Sequence, residues 1–288
     1  MAYLFHQNMR NFGGGSDSRN EKNREVLNLV RLAFRDSIKV AGFTEITNDA
    51  ASREILQQLI DQLIQQPIGG NKSQNLIIVN CGRTAGDKTE FTAIGVNSSL
   101  QILEVGRVYL YDKQTLRDVA PVDRSKFAQW CNTFPTASSL DYRALVYVKV
   151  CETGKAPVYV GFVHNMYTLG DNRITFMLRL PKMIDMIRDQ FDGNIYIGGD
   201  FNTEPVDRKG KNNYYCYVAG LLISPKPGIV AFTPGGTLMS GNKYDYWYSN
   251  LERTDRSRTP NPKVTELTLR DDVGLSDHCG ILLNIKDI

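Results

Sequence analysis

The sequence predicts a single domain of the α/β or α+β class, built from two packed β-sheets with helices on the outside. Its 288 residues suffice for one large domain with its own apolar core. Segments with helical spacing and segments with strand character are mixed in both halves of the chain, and each half ends in strands. No Pro- and Gly-rich linker divides the chain, so we assign residues 1–288 to one domain.

The first part of the chain alternates strands with amphipathic helices. Short apolar runs predict strands at 2–8 and 37–46, and the Gly-, Ser- and Asn-rich stretch 11–20 predicts a loop after the first of them. Apolar residues recur at helical spacing over 21–34 and 49–65, which predicts two helices that each bury one face.

The middle of the chain is predicted to be mostly antiparallel sheet. Five apolar strands follow one another at hairpin distances, at 75–81, 91–96, 107–112, 144–150 and 158–164. A helix is then predicted over 174–191, with a kink at Pro181 because proline lacks the backbone N–H. Two further strands are predicted at 194–198 and 280–285.

Charge and cysteine content narrow the class of protein. The net charge of +3 permits a polyanionic partner without indicating a dense basic surface. The five cysteines are odd in number and lack CxxC spacing, which argues against a disulfide framework or a zinc site and favours a reducing compartment. We find neither a signal-peptide pattern nor an apolar stretch of membrane-spanning length, so a cytoplasmic protein is expected, and export without a signal peptide is also compatible.

The run Gly199-Asp200-Phe201-Asn202 follows an apolar strand and carries the first candidate site residues. Residues two apart on an extended chain share a face, so Asp200 and Asn202 are expected to project together while Phe201 enters the core. A carboxylate can bind a hard cation or accept a proton from water, and an amide can hold a phosphate oxygen without adding negative charge. The alternative is an ordinary strand end with Asx-turn residues.

Other polar residues also lie near strand ends. His164 ends a predicted strand, and His278 follows Asp277 just before another. Glu45 and Asn8 lie at the ends of the first two predicted strands. Histidine is suited to proton transfer near neutral pH, and sites in α/β proteins are built where strands end. Each of these observations alone is also compatible with ordinary surface or core residues.

Asp245 lies within the aromatic run 243–249. An acid in such surroundings needs a partner, because burying an unpaired charge is unfavourable. A histidine that must be held in one tautomer is a natural partner. The alternative is a surface strand that carries one acid.

In this order, the residues resemble the endonuclease/exonuclease/phosphatase superfamily over nearly the full chain. The similarity is greatest to the deoxyribonuclease I branch and to the catalytic subunit of cytolethal distending toxins. Three stretches support that branch: the opening 8–13, in which Arg10 follows Asn8 by two residues; the run 109–113; and Arg143, which precedes a strand. The resemblance implies a deoxyribonuclease-I-like, four-layer sandwich of two sheets with helices outside.

The resemblance also implies how the site would bind metal and water. Glu45 would be the principal metal ligand, helped by Asn8 and Asp277. Asp200 and Asn202 would position the nucleophilic water and the scissile phosphate. Oxygen ligands of this kind suit Mg²⁺, with Mn²⁺ or Ca²⁺ as alternatives.

Further roles follow for the histidines and the basic residues. His164 and His278 would serve as the acid/base and phosphate-clamping pair. Asp245 would orient one of them, with His278 preferred. Arg10 and Arg143 would contact phosphates of the substrate, and Asn202 would join them in substrate binding.

Three departures from the branch bear on these expectations. Where the branch has an arginine that enters the DNA minor groove, this chain has Ile46-Thr47, which weakens the expectation of DNA. The disulfide that follows the Gly-Asp-Phe-Asn run in the secreted nuclease is absent, in agreement with a reducing compartment. Glu104 is a candidate partner for His164, although its spacing from Tyr109 differs by one residue.

The sequence therefore predicts a monomeric, Mg²⁺-dependent endonuclease that hydrolyses DNA phosphodiester bonds by in-line attack of water. Double-stranded DNA is the first expected substrate. RNA or single-stranded nucleic acid comes second, and a phospholipid third. A catalytically inactive binding module on the same scaffold is the alternative from another class.

Overall fold

In a computed structural model of the protein, two β-sheets pack face to face and enclose an apolar core. The structure describes residues 2–12, 38–46, 54, 56–57, 76–83, 89–109, 117–134, 143–165, 193–202, 229–231, 244–249, 264–266, 278, 280–285 and 288. Within these residues, no helix is both long and apolar enough to cross a membrane.

The described part of the chain forms thirteen strands and one longer helix. In chain order they are β1 (Ala2–Phe12), β2 (Ile38–Ile46), β3 (Leu76–Arg83), β4 (Thr89–Val96), β5 (Gln101–Tyr109), β6 (Arg117–Val119), α1 (Arg124–Asn132), β7 (Ala144–Cys151), β8 (Val158–His164), β9 (Asn194–Asp200), β10 (Ile229–Ala231), β11 (Asp245–Ser249), β12 (Val264–Glu266) and β13 (Ile281–Ile285).

The first sheet has six strands in the order β12-β13-β1-β2-β4-β3. Strands β1 and β2 run parallel, and the other neighbours are antiparallel. Alternate residues of these strands, such as Leu4, Val40, Val79 and Ile94, enter the core between the sheets. On the other face of the sheet, Phe5 packs edge-on against Phe43.

The second sheet has seven strands in the order β10-β11-β9-β8-β7-β5-β6. Strands β8 and β9 run parallel, and their register sets His164 beside Asp200. The antiparallel pairing of β11 with β9 sets Asp245 on the other side of Asp200. Three neighbouring strands therefore bring His164, Asp200 and Asp245 side by side at one edge of the sheet.

The prediction of two packed sheets is confirmed, and most predicted strands appear within a few residues of their expected ends. Both sheets are mixed, because the pairs β1–β2 and β8–β9 are parallel. The antiparallel pairing expected among the middle strands is confirmed for β3–β4, β5–β7 and β7–β8. Two boundaries were wrong. Strand β1 continues to Phe12 because Phe12 pairs with Ile46 after a shift of register, where the sequence indicated a loop from residue 11. Strand β5 begins at Gln101, because its first residues pair with β7, rather than at residue 107.

The predicted outer helices lie largely outside the described residues. The segments 21–34 and 174–191 are not among them, and within 49–65 only Glu54, Leu56 and Gln57 are described, in helical conformation. The sequence also missed α1. This helix begins after Asp123, whose side chain accepts a hydrogen bond from the Ser125 backbone N–H at 2.9 Å and so caps the helix.

Candidate active site

The candidate residues converge where β1, β2, β8 and β9 end. Parallel pairing carries the ends of β1 and β2 to one edge of the first sheet, and the ends of β8 and β9 to one edge of the second. The two sheets face each other, so these edges meet. Nine of the ten residues assigned from the sequence are described, and Asp277 lies outside the described residues.

Asn8 forms hydrogen bonds with two carboxylates of the candidate site, those of Glu45 and Asp200. Its side-chain Nδ2 donates to Glu45 Oε1 at 2.9 Å and to Asp200 Oδ2 at 3.1 Å. His164 Nε2 lies 3.2 Å from the same Glu45 oxygen and 3.7 Å from the same Asp200 oxygen. Asp200 is buried, whereas Glu45 is partly exposed, so the group opens to solvent on the Glu45 side.

The group of Glu45, His164 and Asp200 could hold a divalent metal. One ligand atom from each lies within 4.8 Å of the others. Two carboxylate oxygens and one imidazole nitrogen are suitable donors for a hard or borderline cation. Asn8 presents its N–H rather than its carbonyl to the carboxylates, and its Oδ1 accepts from the Arg10 backbone N–H at 2.9 Å. Direct bonding of Asn8 to a metal would require the amide to turn over.

A buried glutamate orients His164. Glu90 Oε1 lies 2.7 Å from His164 Nδ1, which fixes the ring so that Nε2 faces Glu45 and Asp200. Burial by itself would lower the pKa of His164, but the carboxylates of Glu90 and then Glu45 outweigh it and raise that pKa. His164 is therefore held as a proton donor at higher pH than a free histidine.

Arg143 lies behind this histidine. Its Nη1 is 2.5 Å from Glu90 Oε1 and 3.0 Å from His164 Nδ1, and its side chain is buried. Burial alone would raise the pKa of Glu90, but Arg143 and then His164 outweigh it and lower that pKa to about 2. Arg143 thus fixes the charge on Glu90, and the phosphate contact expected from the sequence would require its guanidinium to reach past His164.

The sequence-based pairing of Glu104 with His164 was wrong. Glu104 Oε1 instead accepts a hydrogen bond from Tyr147 Oη at 2.6 Å and forms an ion pair with Arg117. The actual partner, Glu90, was missed because the strand around it was predicted to begin one residue later. A glutamate at the head of an apolar strand was the available signal.

A second acid–histidine pair lies on the other side of Asp200. Asp245 Oδ2 is 2.8 Å from His278 Nδ1, and His278 Nε2 is 3.6 Å from Asp200 Oδ2. All three side chains are buried. Burial and the Asp245 charge raise the pKa of Asp200, although His278 and His164 act in the opposite direction.

Hydrogen bonds from backbone and side-chain amides hold the turn after β9. The Asn202 backbone N–H donates to Asp200 Oδ1 at 2.8 Å, which is the Asx turn weighed as the alternative for this run. Asn202 Nδ2 donates to the Asn165 carbonyl at 2.5 Å, and Asn165 Nδ2 donates to the Phe201 carbonyl at 2.8 Å. Phe201 stacks on Tyr246 in the core with ring centroids 4.1 Å apart. The run 199–202 therefore forms an Asx turn and also contributes polar side chains to the candidate site. Asn165 is buried and its hydrogen bonds hold this turn, and we did not identify it from the sequence.

Three site residues adopt backbone conformations that side chains disfavour. Arg10, Glu45 and Asn202 have φ values of 46°, 57° and 49°, and they are the non-glycine residues with positive φ among those described. Asparagine tolerates this left-handed region, but arginine and glutamate rarely enter it. Such conformations persist when the surrounding structure imposes them, and they cluster at functional sites.

No protein-family model matches the sequence, and no curated protein matches it either. Solved structures, in contrast, match the fold of this chain. An endonuclease/exonuclease/phosphatase family protein from Bacteroides thetaiotaomicron is 16% identical with a TM-score of 0.55, covering 98% of this chain and 93% of its own. The mannosyl-6-phosphatase Bt3783 from the same organism is 16% identical with a TM-score of 0.56, covering 99% of each chain. D. rerio TDP2, complexed with single-strand DNA product, is 14% identical with a TM-score of 0.56, covering 98% of this chain and 97% of its own.

These similarities extend over nearly the full chain and show the fold. The two-sheet architecture is that of the endonuclease/exonuclease/phosphatase proteins, as the sequence predicts.

Proposed function

We propose that this chain is a divalent-metal-dependent phosphodiesterase that uses water to cleave DNA. One observation carries the proposal: two buried acid–histidine pairs approach the same oxygen of Asp200 from opposite sides. The Nε2 atoms of His164 and His278 lie 3.7 Å and 3.6 Å from Asp200 Oδ2. Each ring is oriented through Nδ1 by its own carboxylate, at 2.7 Å for Glu90 and 2.8 Å for Asp245.

This arrangement suits phosphoryl chemistry better than acyl chemistry. The described residues of the site include no serine or cysteine beside a histidine that could serve as nucleophile. Carboxylates and imidazoles around one point can instead activate water and donate hydrogen bonds to phosphate oxygens. The similarity to a mannosyl-6-phosphatase and to TDP2 supports phosphate ester substrates in general.

Each residue has a distinct proposed role. Glu45, helped by Asp277 as the resemblance implies, would hold the metal, most simply Mg²⁺, which would supply Lewis-acid stabilisation of negative charge on the phosphate. Asp200, with its raised pKa, accepts a proton from the attacking water. His164 donates a hydrogen bond to a non-bridging oxygen, since its pKa is raised. Doubly protonated His278, with its Nδ1–H on Asp245, gives its Nε2 proton to the leaving oxygen when the P–O bond breaks. The proton that Asp200 took from water then returns to Nε2, which lies 3.6 Å from Asp200 Oδ2.

The remaining polar residues position substrate and ligands. Asn202 has one amide hydrogen bound to Asn165 and a second that could contact the scissile phosphate. Arg10 is exposed next to Asn8, where its guanidinium could contact a neighbouring phosphate. Asn8 keeps Glu45 and Asp200 together. This placement of Arg10 favours a polymeric phosphodiester, and DNA is the first choice because of the sequence resemblance.

The test is a nicking assay on supercoiled plasmid with Mg²⁺ and with EDTA. RNA, sphingomyelin vesicles and a phosphomonoester are assayed in parallel under the same salt. We expect Mg²⁺-dependent nicking that is faster than hydrolysis of the other three. Faster release of phosphate from the monoester would replace the proposal with a phosphatase, and no hydrolysis of any substrate would support the inactive binding module.

The matched variants are Asp200→Ala and His278→Ala, with Asp123→Ala as control. Asp123 is an exposed acid that caps α1, so Asp123→Ala shows the effect on hydrolysis of removing a carboxylate outside the candidate site. We expect hydrolysis to fall by about 10²–10⁴-fold in the two site variants and to persist in the control. Full activity of either folded site variant contradicts the assignment.

A further inference from the structure

His6 is the third histidine of the chain, and the proposed mechanism does not use it. It lies on β1, two residues before Asn8, and is fully buried between the sheets. Its ring stacks on Phe162 of the opposite sheet with centroids 6.1 Å apart and planes at 19°. Leu4, two residues earlier on the same face, is an ordinary core residue. An apolar side chain would avoid the cost of burying the imidazole of His6, so its polar contacts need an explanation.

Both ring nitrogens of His6 face polar atoms. Nε2 lies 3.2 Å from Thr44 Oγ1. Nδ1 lies 3.9 Å from Asp245 Oδ1, the carboxylate oxygen that is not bonded to His278. At this distance the two atoms form no hydrogen bond, and buried Nδ1 has no other hydrogen-bond partner among the residues that the structure describes. A buried ring nitrogen left without a partner destabilises the fold, so a small movement that brings it to Asp245 is favoured.

The tautomer of His6 follows from these neighbours. A neutral imidazole has one N–H donor and one acceptor nitrogen. The ring is fully buried between the sheets, where a neutral imidazole costs less than a charged one, so one of its two nitrogens carries the proton. If Nε2 carried the proton, the lone pair of Nδ1 would face a carboxylate, which is repulsive. With the proton on Nδ1, that N–H points at Asp245 and Nε2 accepts from the Thr44 hydroxyl.

We propose that His6 is a positioning residue whose Nδ1–H donates to Asp245 Oδ1, so that Asp245 is held between two histidines. A carboxylate bonded on both oxygens cannot rotate away from His278. His278 Nδ1 then keeps its proton on Asp245, and Nε2 stays directed at Asp200. The effect of His6 on catalysis rests on the proposed function, whereas the hydrogen bond itself does not.

A pair of amide substitutions separates the two ring nitrogens. The side-chain nitrogen of asparagine lies about where Nδ1 of histidine lies, and that of glutamine about where Nε2 lies. His6→Asn therefore keeps a donor toward Asp245, while His6→Gln keeps a polar group only toward Thr44. His6→Leu removes both and retains the bulk of an apolar core residue.

The kinetic expectation distinguishes positioning from packing. Outer partners of catalytic groups are typically worth about 10–100-fold in activity, so kcat should fall by at least about 10-fold in His6→Gln and His6→Leu at unchanged KM. The kcat of His6→Asn should stay within about 3-fold of the kcat of the original chain, a small loss beside the range of about 10–100-fold above. Equal losses in the Asn and Gln variants, or native kcat in a folded Gln or Leu variant, overturn the proposal.

A measurement independent of activity keeps the inference testable if no substrate is hydrolysed. The chain has three histidines, so ¹⁵N labelling gives three imidazole spin systems, each assigned with one asparagine variant. We expect His6 to be neutral with its proton on Nδ1. The His278 Nδ1–H resonance should shift in His6→Gln and return in His6→Asn. A proton on Nε2 of His6, or a His278 resonance that does not respond to His6→Gln, overturns the proposal whatever the activity.

Discussion

Two buried arginines, Arg107 in β5 and Arg143 just before β7, differ in how completely their side chains are hydrogen-bonded. Arg107 donates from Nε to Asp118 at 3.1 Å and from Nη1 to the carbonyls of Asn80 and Thr133 at 3.2 Å and 2.5 Å. Its Nη2 also pairs with Asp118, and the guanidinium lies 4.3 Å from the Trp130 ring centroid. The Trp130 indole N–H and the Tyr109 hydroxyl also donate hydrogen bonds to the Asp118 carboxylate. This cluster joins β5, β6 and α1.

Arg143 belongs to a less complete network. Its Nη1 donates to Glu90 Oε1, the oxygen that also accepts from His164 Nδ1–H, but its Nε has no hydrogen-bond partner among the described residues, and neither has the second oxygen of Glu90. Several pKa values around it are shifted, including those of Glu90, His164 and Asp200. A satisfied buried network stabilises and fixes a fold, whereas unsatisfied groups with perturbed pKa values are typical of sites that await a ligand. We therefore expect Arg107 to act in stability and the Arg143 network to act in the proposed function.

The largest expected effect is on stability, at Arg107. Arg107→Met keeps much of the side-chain length but leaves Asp118 without its main counter-charge. Removing one partner of a buried ion pair costs about 3–5 kcal/mol, and the partial exposure of Asp118 places the loss near the lower end. Urea denaturation measures it, with kcat of the folded fraction expected to remain native. A stable but inactive variant would reverse the assignment of the two arginines.

The next effect is a pH dependence that originates at Glu90. Its pKa falls from 4.5 in the unfolded chain to about 2 in the folded protein. A lowered acid pKa stabilises the fold above the unfolded value, and this contribution is lost as the pH falls from about 4.5 to 2. The shift corresponds to about 3 kcal/mol. Unfolding free energies measured over this range should fall more steeply in the original chain than in Glu90→Gln. Parallel curves would show that Glu90 carries no such charge.

Glu90→Gln should also lower activity while the protein stays folded at neutral pH. The amide cannot hold His164 Nδ1–H with the strength of a carboxylate, so His164 loses its orientation and its raised pKa. We expect kcat to fall by about 100-fold, equivalent to about 2.7 kcal/mol. Glu104→Gln is the matched control, because Glu104 contacts Tyr147 and Arg117 instead. Equal losses in both variants would contradict a specific role for Glu90.

The smallest effect concerns backbone strain at Arg10. Its φ of 46° is accessible to glycine at little cost but disfavoured for residues with a Cβ atom. Arg10→Gly should therefore be more stable than Arg10→Ala by about 1 kcal/mol. Both should weaken binding of nucleic acid to the same extent if the guanidinium contacts phosphate. Equal stabilities would show that the conformation at residue 10 changes with the side chain.

The sequence indicated some pairings and missed others. An acid among aromatic residues needs a partner, which indicated a histidine for Asp245; the family resemblance selected His278, and the structure places these groups 2.8 Å apart. Glu90 and His164 are 74 positions apart, and β4 and β8 lie in different sheets. No local pattern reports which residue of one sheet faces a given residue of the other. Glu104 was the wrong choice of partner for His164. It lies in the same sheet as β8, but its side chain points to Tyr147.

The sequence by itself determined most of the longer strands, the two-sheet class and the polar residues at the strand ends. Apolar alternation and turn-forming residues act over a few positions, so they are visible in the chain. The tertiary structure alone decided that Arg143 backs His164, that Glu90 carries the orienting charge, and that His6 faces Asp245 at 3.9 Å. These contacts form only when the sheets pack, since burial sets both the distances between the charges and the pKa values that follow from them.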